Sequence, residues 1–274
     1  MVKETLNKSV MKLSSNEKIS PSDLRKNLQF KKFISNLKSN KVYNIFVKNK
    51  LILAGGSLVR LLEEQDYLSI HDYDFYFKSK EQIEELLNDI EIYNLNNNAK
   101  FKLVCKTENA YTFTLSSNFT FQFITLDKLI NNSPMKIIDK FDFSICQIAY
   151  DFEWDEVVCS DIWTDDINNR HITFNTNTLY PLSSFVRLNK YLDRGYSMGT
   201  IDKLALAFSI SQLNIKTFSD VSKQMNGISA TVLEDFRQLL MSDEYKNKRF
   251  DIMEFIELYN EYIETLETLE SLNE

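Results

Sequence analysis

The chain has little of what usually punctuates a fold, with 5 glycines and 3 prolines in 274 residues. With turn residues this scarce, each glycine is informative, and two of the five are adjacent at Gly55 and Gly56. Only three cysteines are present, Cys105, Cys146 and Cys159, with no close-spaced pair. An odd number at such spacing excludes a disulfide framework, and Cys105 and Cys146, in apolar strand-like runs, are expected as reduced core residues. The two histidines, His71 and His171, make no zinc spacing and no Ser-His-Asp order. His71 is expected to pack or lie at the surface, and His171 has no visible partner group. No apolar run reaches the roughly 18 residues of a membrane span. The N-terminus lacks the apolar segment of a signal peptide, so no membrane role and a cytoplasmic location are expected. Internal repeats, heptad runs and low-complexity domains are also missing.

What is present is an ordinary globular composition, 43% hydrophobic and 13% aromatic, enough for one large core or two smaller ones. The net charge of −7 argues against wholesale binding to nucleic acid, but the charge is uneven. Residues 1–50 hold twelve Lys or Arg against Glu4, Glu17 and Asp23. Such a basic arm can follow a phosphate backbone or simply keep a terminus soluble. Within it, Leu24, Leu28, Phe33 and Leu37 predict an amphipathic helix over 22–39. The C-terminal stretch is opposite in sign, with glutamates every three or four residues from Glu254 to Glu270, a solvated helix face. Asp161, Asp165 and Asp166 are read as surface. The Asn- and Lys-rich, Gly-poor composition suits an AT-rich genome, phage or bacterial.

The densest information lies between Leu51 and Phe77. The apolar run Leu51–Ala54 is short enough for a buried strand and stops at Gly55 and Gly56. Glycine lets the backbone turn sharply and lets a ligand approach the main chain. Ser57 is expected to cap a following helix carrying Leu58, Leu61 and Leu62, whose N-terminal N–H groups suit a phosphate. Next, residues 69–78 alternate, placing Asp72 and Asp74 on one strand face and His71, Tyr73, Phe75 and Phe77 on the other. Two carboxylates at i, i+2 repel each other unless a cation lies between them, and Mg²⁺ held by carboxylates plus substrate phosphates answers that need.

This pattern resembles the polymerase-β-type nucleotidyltransferase superfamily, most closely the head of tRNA nucleotidyltransferases and poly(A) polymerases. The matching residues are Gly55, Gly56 and Arg60, followed by Asp72 and Asp74, and the likeness spans roughly residues 45–150. It implies that Ser57 contacts a terminal phosphate, that Arg60 orients the helix or the nucleotide, and that Asp72 and Asp74 are catalytic and hold Mg²⁺. Two such ions, with Mn²⁺ as a substitute, would activate a hydroxyl and stabilise departing pyrophosphate. Members of the superfamily add a third carboxylate from a later strand. Here Phe119–Ile124 offers Gln122 at that place, and Asp142, in Phe141-Asp142-Phe143 ahead of an expected strand over 144–149, is the substitute chosen as the third catalytic acid.

The expected fold class is α+β: a nucleotidyltransferase head, a mixed β-sheet with flanking helices, followed by a helical C-terminal domain. The divisions are a basic arm over 1–22, the head over 23–178 and the helical domain over 179–274. A helix is predicted over 81–90, strands over 101–106, 111–115 and 119–126, a loop over 94–98 and a short helix over 134–139. In the first helix of the tail, Arg187, Lys190, Tyr191 and Arg194 fall three and four apart and so share a face. The resemblance implies nucleotide binding there, with Tyr191 or Tyr196 stacking a base. Gly195 ends that helix.

The function expected from the resemblance is transfer of an NMP from an NTP, ATP among the candidates, to an acceptor hydroxyl. An RNA 3′-end such as that of tRNA is the favoured acceptor. Addition to a protein hydroxyl, as in toxin-like relatives, and a noncatalytic binding or structural module on the same scaffold are the alternatives.

Overall fold

The computed structural model describes residues 19–273, apart from 64, 71, 116–118 and 227–230. His71 and the lysines of residues 1–18 lie outside the described residues. The chain enters through α1 (Asp23–Lys26), α2 (Leu28–Ser39) and α3 (Val42–Lys48). The single helix expected over 22–39 is broken at Asn27, whose extended ψ of 133° ends α1 while its side chain accepts from the Gln29 and Phe30 N–H groups and caps α2. Phe30 therefore joins Phe33 and Leu37 in the core, and Leu28 is left 61% exposed.

Then follow β1 (Ile52–Ala54), α4 (Gly56–Leu62), β2 (Tyr73–Tyr76), α5 (Glu81–Asn96), β3 (Phe101–Lys106), β4 (Ala110–Leu115) and β5 (Phe119–Ile124). The three strands β3 to β5 lie where the alternation predicts them. The asparagines from Asn94 onward do not open a loop at once, because α5 runs on to Asn96 with Tyr93 buried against Phe101. After α6 (Pro134–Ile138) the expected strand over 144–149 divides into a 3₁₀ turn, Ser144–Cys146, and β6 (Ile148–Asp151). A hairpin carries β6 into β7 (Glu156–Cys159), followed by α7 (Trp163–Asn169).

These strands form one mixed seven-stranded sheet in the order β3-β4-β5-β2-β1-β6-β7. β2 is central; β1 beside it is antiparallel to both its neighbours, and β2 runs parallel to β5 with Asp74 opposite Gln122. The sheet's two faces differ sharply. One packs Phe75, Phe121 and Phe123 against Phe46 of α3, with Phe33 of α2 stacked on Tyr73 at 4.4 Å. On the other, α6 packs with Ile52, Ala54, Tyr76 and Ala149, flanked by Ile124 and Val158, and Gln122, Thr112, Thr114 and Thr120 stay half-exposed. Cys146 is buried as expected, whereas Cys105 is exposed because β3 is the sheet's edge and shows water every residue but Phe101. Asp166, read as surface, is buried: Ser144 Oγ and the Thr173 N–H both donate to its carboxylate.

A two-strand pairing of β8 (His171–Ile172) with β9 (Ser197–Met198) brackets α8 (Pro181–Leu192). Gly195 at φ +84° turns the chain after α8. Helices α9 (Thr200–Ser211), α10 (Phe218–Gln224), α11 (Thr231–Leu240) and α12 (Ile252–Asn273) complete the tail, with a separate small core around Phe218 and Phe236. The fold is α+β, a mixed sheet with flanking helices followed by a helical C-terminal region. Among the described residues, no helix is long and apolar enough to cross a membrane.

Candidate functional site

The site is built where β1 gives way to α4. Gly55 adopts φ +90° and its N–H bonds the Ile148 carbonyl, so the turn is tied to the neighbouring strand. A side chain at Gly56 would begin 3.3 Å from the Tyr191 hydroxyl, so glycine there permits α8 to close on the turn. Gly55, and not Ser57, occupies the cap position of α4. Ser57 lies one residue inside the helix, 3% exposed, and its hydroxyl has no hydrogen-bond partner. A buried hydroxyl without a partner is costly, and a ligand oxygen at the turn would satisfy it.

Asp74 lies in β2, and Asp72 immediately precedes the strand, which is shorter than the alternation suggests because a 3₁₀ turn occupies Tyr67–Ser69. Burial, followed by the charge of Asp72, pushes the Asp74 carboxyl up to about 6, against the opposing pull of Arg187, Lys190 and Arg60. Those three cations come from two different elements, α4 and α8. Around Lys190, loss of water and then the neighbouring Arg60 and Arg187 push the ammonium's pKa down, although the residue as a whole is exposed. A cluster of positive charges in mutual repulsion, next to two carboxylates in mutual repulsion, is poised for a polyanion that arrives with its own cation.

Asp142 lies between α6 and the 3₁₀ turn, not on a strand beside Asp74. It is 4% exposed, its Oδ2 stands 3.4 Å from Arg187 Nη1, and its Oδ1 has no partner. Burial works against the charge on Arg187, but Asp142 together with Tyr191 and Cys146 more than offsets it and keeps the guanidinium protonated. Gln122 takes the position in register with Asp74. Among the described residues, no three His, Cys, Asp or Glu side chains converge. The donor set is a pair of carboxylates, and this suits a hard cation that takes its remaining oxygens from substrate phosphates and water.

The four residues that spacing places on one face of α8 part company in the structure. Arg187 and Lys190 act on Asp74. Tyr191 is 2% exposed, and its hydroxyl meets Cys146 Sγ at 2.9 Å, so its ring is closed to a base. Arg194 pairs with Glu63 at the end of α4, and the Tyr196 hydroxyl donates to the same carboxylate at 2.8 Å, with the Tyr196 ring 5% exposed. These three residues join the tail to the head. Glu63, their partner, carries no motif that sequence reading would catch.

Residues 24–170, more than half the chain, match the family described as Gabija anti-defense 2. The chain belongs to that family. A Gabija anti-defense 2 protein of Bacillus phage SPbetaL7 is 25% identical over 210 residues, which make up 77% of this chain and 48% of that protein. Among solved structures, a CCA-adding enzyme in complex with CTP superposes with a TM-score of 0.52 at 14% identity, over 82% of this chain and 54% of that one. The CCA-adding enzyme in complex with ATP gives 0.50 at 14% identity, over 83% and 54%. The family member therefore shares the fold of the CCA-adding enzymes. It spans about half the length of the relatives it matches.

Proposed function

We propose that this chain is a divalent-cation-dependent nucleotidyltransferase that moves an NMP from an NTP to an acceptor hydroxyl, releasing pyrophosphate, and that a phage uses it against a bacterial defence. The observation that carries the reading is the pairing of Asp72 and Asp74 with three cations from α4 and α8 at the mouth of the Gly55–Gly56 turn. The carboxylate pair fits Mg²⁺: loss of water and then the charge of Asp72 push the Asp74 carboxyl up, and a bound cation would relieve both. Asp72 and Asp74 would hold it, and when bound it supplies charge neutralisation at the triphosphate and Lewis acidity at the reacting phosphorus.

The chain's own residues do the rest. The Gly55–Gly56 turn admits phosphate oxygens against the main chain, and the Ser57 hydroxyl donates to one of them. Arg60, Arg187 and Lys190 bind the remaining phosphate charge, with Asp142 orienting the Arg187 fork rather than serving as a base. Tyr191 and Arg194 contribute by holding α8 in place. The test is pyrophosphate release and transfer of α-labelled NMP by wild type beside Asp72→Asn, with loss of turnover and an intact fold expected in the variant.

Gln122, in register with Asp74, favours a second reading: a module that binds NTP without transferring it. An amide accepts and donates hydrogen bonds but is no general base at neutral pH. NTP binding without any pyrophosphate release, with every acceptor supplied, would establish that reading instead. An RNA acceptor draws its support from the basic N-terminal stretch, four of whose twelve Lys and Arg precede residue 19.

A further inference from the structure

We infer that the acceptor is a protein, whose serine, threonine or tyrosine hydroxyl reaches the site across the uncovered half of the sheet. The inference rests on the nucleotidyl-transfer reading and specifies its acceptor. The ground for it is how charge and side-chain type are divided around Asp74. The cations named as acting on Asp74, Arg60, Arg187 and Lys190, come from α4 and α8, where the nucleotidyl-transfer reading puts the triphosphate. On the opposite side, Asp74 opens onto two rows of residues in cross-strand register, which therefore share a face. Asp74, Gln122 and Thr112 form one row, and Thr120, Thr114 and Lys102 form the next.

Beyond Asp74 itself, this platform consists of half-exposed neutral residues and the exposed Lys102. Among the described residues, its threonine and glutamine side chains make no hydrogen bonds within the chain. An RNA strand laid here would need a cation for each phosphate it contacts and an aromatic ring for each base it stacks. The platform has a single lysine, and the phenylalanines of β4 and β5 are all turned to the other face. Hydroxyl and amide groups at strand spacing instead match the alternating N–H and C=O of a polypeptide.

A second observation points to the same class of partner. Helix α8, which sends Arg187 and Lys190 to the site, leaves Phe185 57% exposed on its other side. With α9 it forms an apolar groove of about 450 Å³, lined by Phe185, Leu188, Leu206, Ala207 and Ile210, with Lys203 at its edge. Such a groove accepts apolar side chains flanked by an acid, as a protein surface presents them and a nucleic acid does not. Its occupant is the same acceptor protein, since one helix serves both groove and site.

In the reaction the acceptor oxygen forms a bond to the α-phosphorus, and the bond from that phosphorus to the bridging oxygen of the β-phosphate breaks. Pyrophosphate leaves with the electron pair and the hydroxyl proton is lost to water. The experiment incubates the full chain with each α-labelled NTP and Mg²⁺ in total bacterial protein and, separately, total bacterial RNA, and then digests with protease or ribonuclease.

The expected result is label that resists ribonuclease and yields to protease, with an NMP mass added to a serine, threonine or tyrosine. Thr112→Lys, Thr120→Lys and Phe185→Glu, all on exposed or half-exposed positions, should each lower protein labelling about tenfold while Mg²⁺-dependent NTP affinity stays within about twofold of wild type. Label that yields to ribonuclease, label confined to small molecules, or unchanged protein labelling in all three variants overturns the inference and leaves nucleotidyl transfer standing. Bound NTP with no label in either extract overturns it in favour of the binding-only reading. Failure of wild type to bind any NTP overturns the parent reading and this one together.

Discussion

The two faces of the one sheet divide the labour of the molecule. On the face toward α2 and α3, Phe75, Phe121 and Phe123 meet Phe46 in edge and tilted contacts at 4.6–6.1 Å, and every ring is almost dry. On the other face, the intervening residues of the same strands are Asp74, Gln122 and Thr120, half-exposed and polar. Period-two alternation in four to six residues thus supplies a core and a reactive surface at once. The contrast teaches that stability here is stored one residue away from the chemistry, and on the opposite side of the backbone. Substitutions on the two faces should therefore separate cleanly into losses of turnover and losses of fold.

The largest effect is expected at Asp74. Asp74→Asn should lower NMP transfer on the order of 10³-fold, the scale on which a site loses turnover when a key charge is removed. Its melting temperature should stay level or rise, because partial loss of water and the charge of Asp72 both disfavour the native carboxylate. A parallel thermal melt and pyrophosphate assay checks both halves, and a large drop in melting temperature would break the proposed division. Phe46→Ala reverses the pattern. It removes a fully buried ring touching four other aromatic residues and should cost about 3–5 kcal/mol in urea unfolding. Activity per folded molecule should be retained at temperatures where the variant remains native.

Between these extremes lies the contact of tail and head. Glu63 accepts from Arg194 and Tyr196 and stands 3.9 Å from Arg170, and its side chain is 15% exposed. Glu63→Gln leaves Arg194 without its counter-charge at a largely covered position and should cost about 2 kcal/mol. It should also raise the KM for NTP, because α8 carries Arg187 and Lys190. A loss of stability with KM unchanged would show that α8 is positioned by other contacts.

How much of this was legible beforehand follows from which signals are local. The strand, Gly55–Gly56 turn, helix and Asp72/Asp74 order could be read directly, because glycine conformation and strand alternation are properties of a few adjacent residues. The strands β3 to β5 could be read for the same reason. Long-range facts were not legible. Spacing puts Arg187, Lys190, Tyr191 and Arg194 on one side of α8, but it cannot say that Gly56, having no side chain, lets the Tyr191 hydroxyl come down on the turn. Nor can it say that Glu63 draws Arg194 to the end of α4. Asp142 has the apolar-acid-apolar look of a strand, yet the Thr173 carbonyl takes the Ser144 N–H and the following residues close into a 3₁₀ turn. Asp166 was hidden by the same segment, since only the fold brings Ser144 to it.

The smallest expected effect sharpens the comparison at the far edge of the polar face. Lys78, 9% exposed, donates to Asp151 at 2.6 Å and to Glu153 at 2.8 Å, joining the end of β2 to the β6–β7 hairpin. Hydrogen bonds from Lys78 and then Lys50 hold the Glu153 carboxyl below its ordinary value of 4.5. A carboxylate whose folded pKa is depressed binds fewer protons in the native state than in the unfolded one. Its contribution is therefore complete above the unfolded value and is lost as pH falls through the folded one. Urea unfolding from neutral pH downward should show wild type losing up to about 1 kcal/mol from this group below about pH 4.5, while Glu153→Gln starts lower and lacks that part of the slope. Turnover at neutral pH should be the same in both proteins, because Glu153 interacts with lysines at the strand ends and not with the cations that face Asp74. A change in turnover would mean that the hairpin positions the reacting groups as well as closing the sheet.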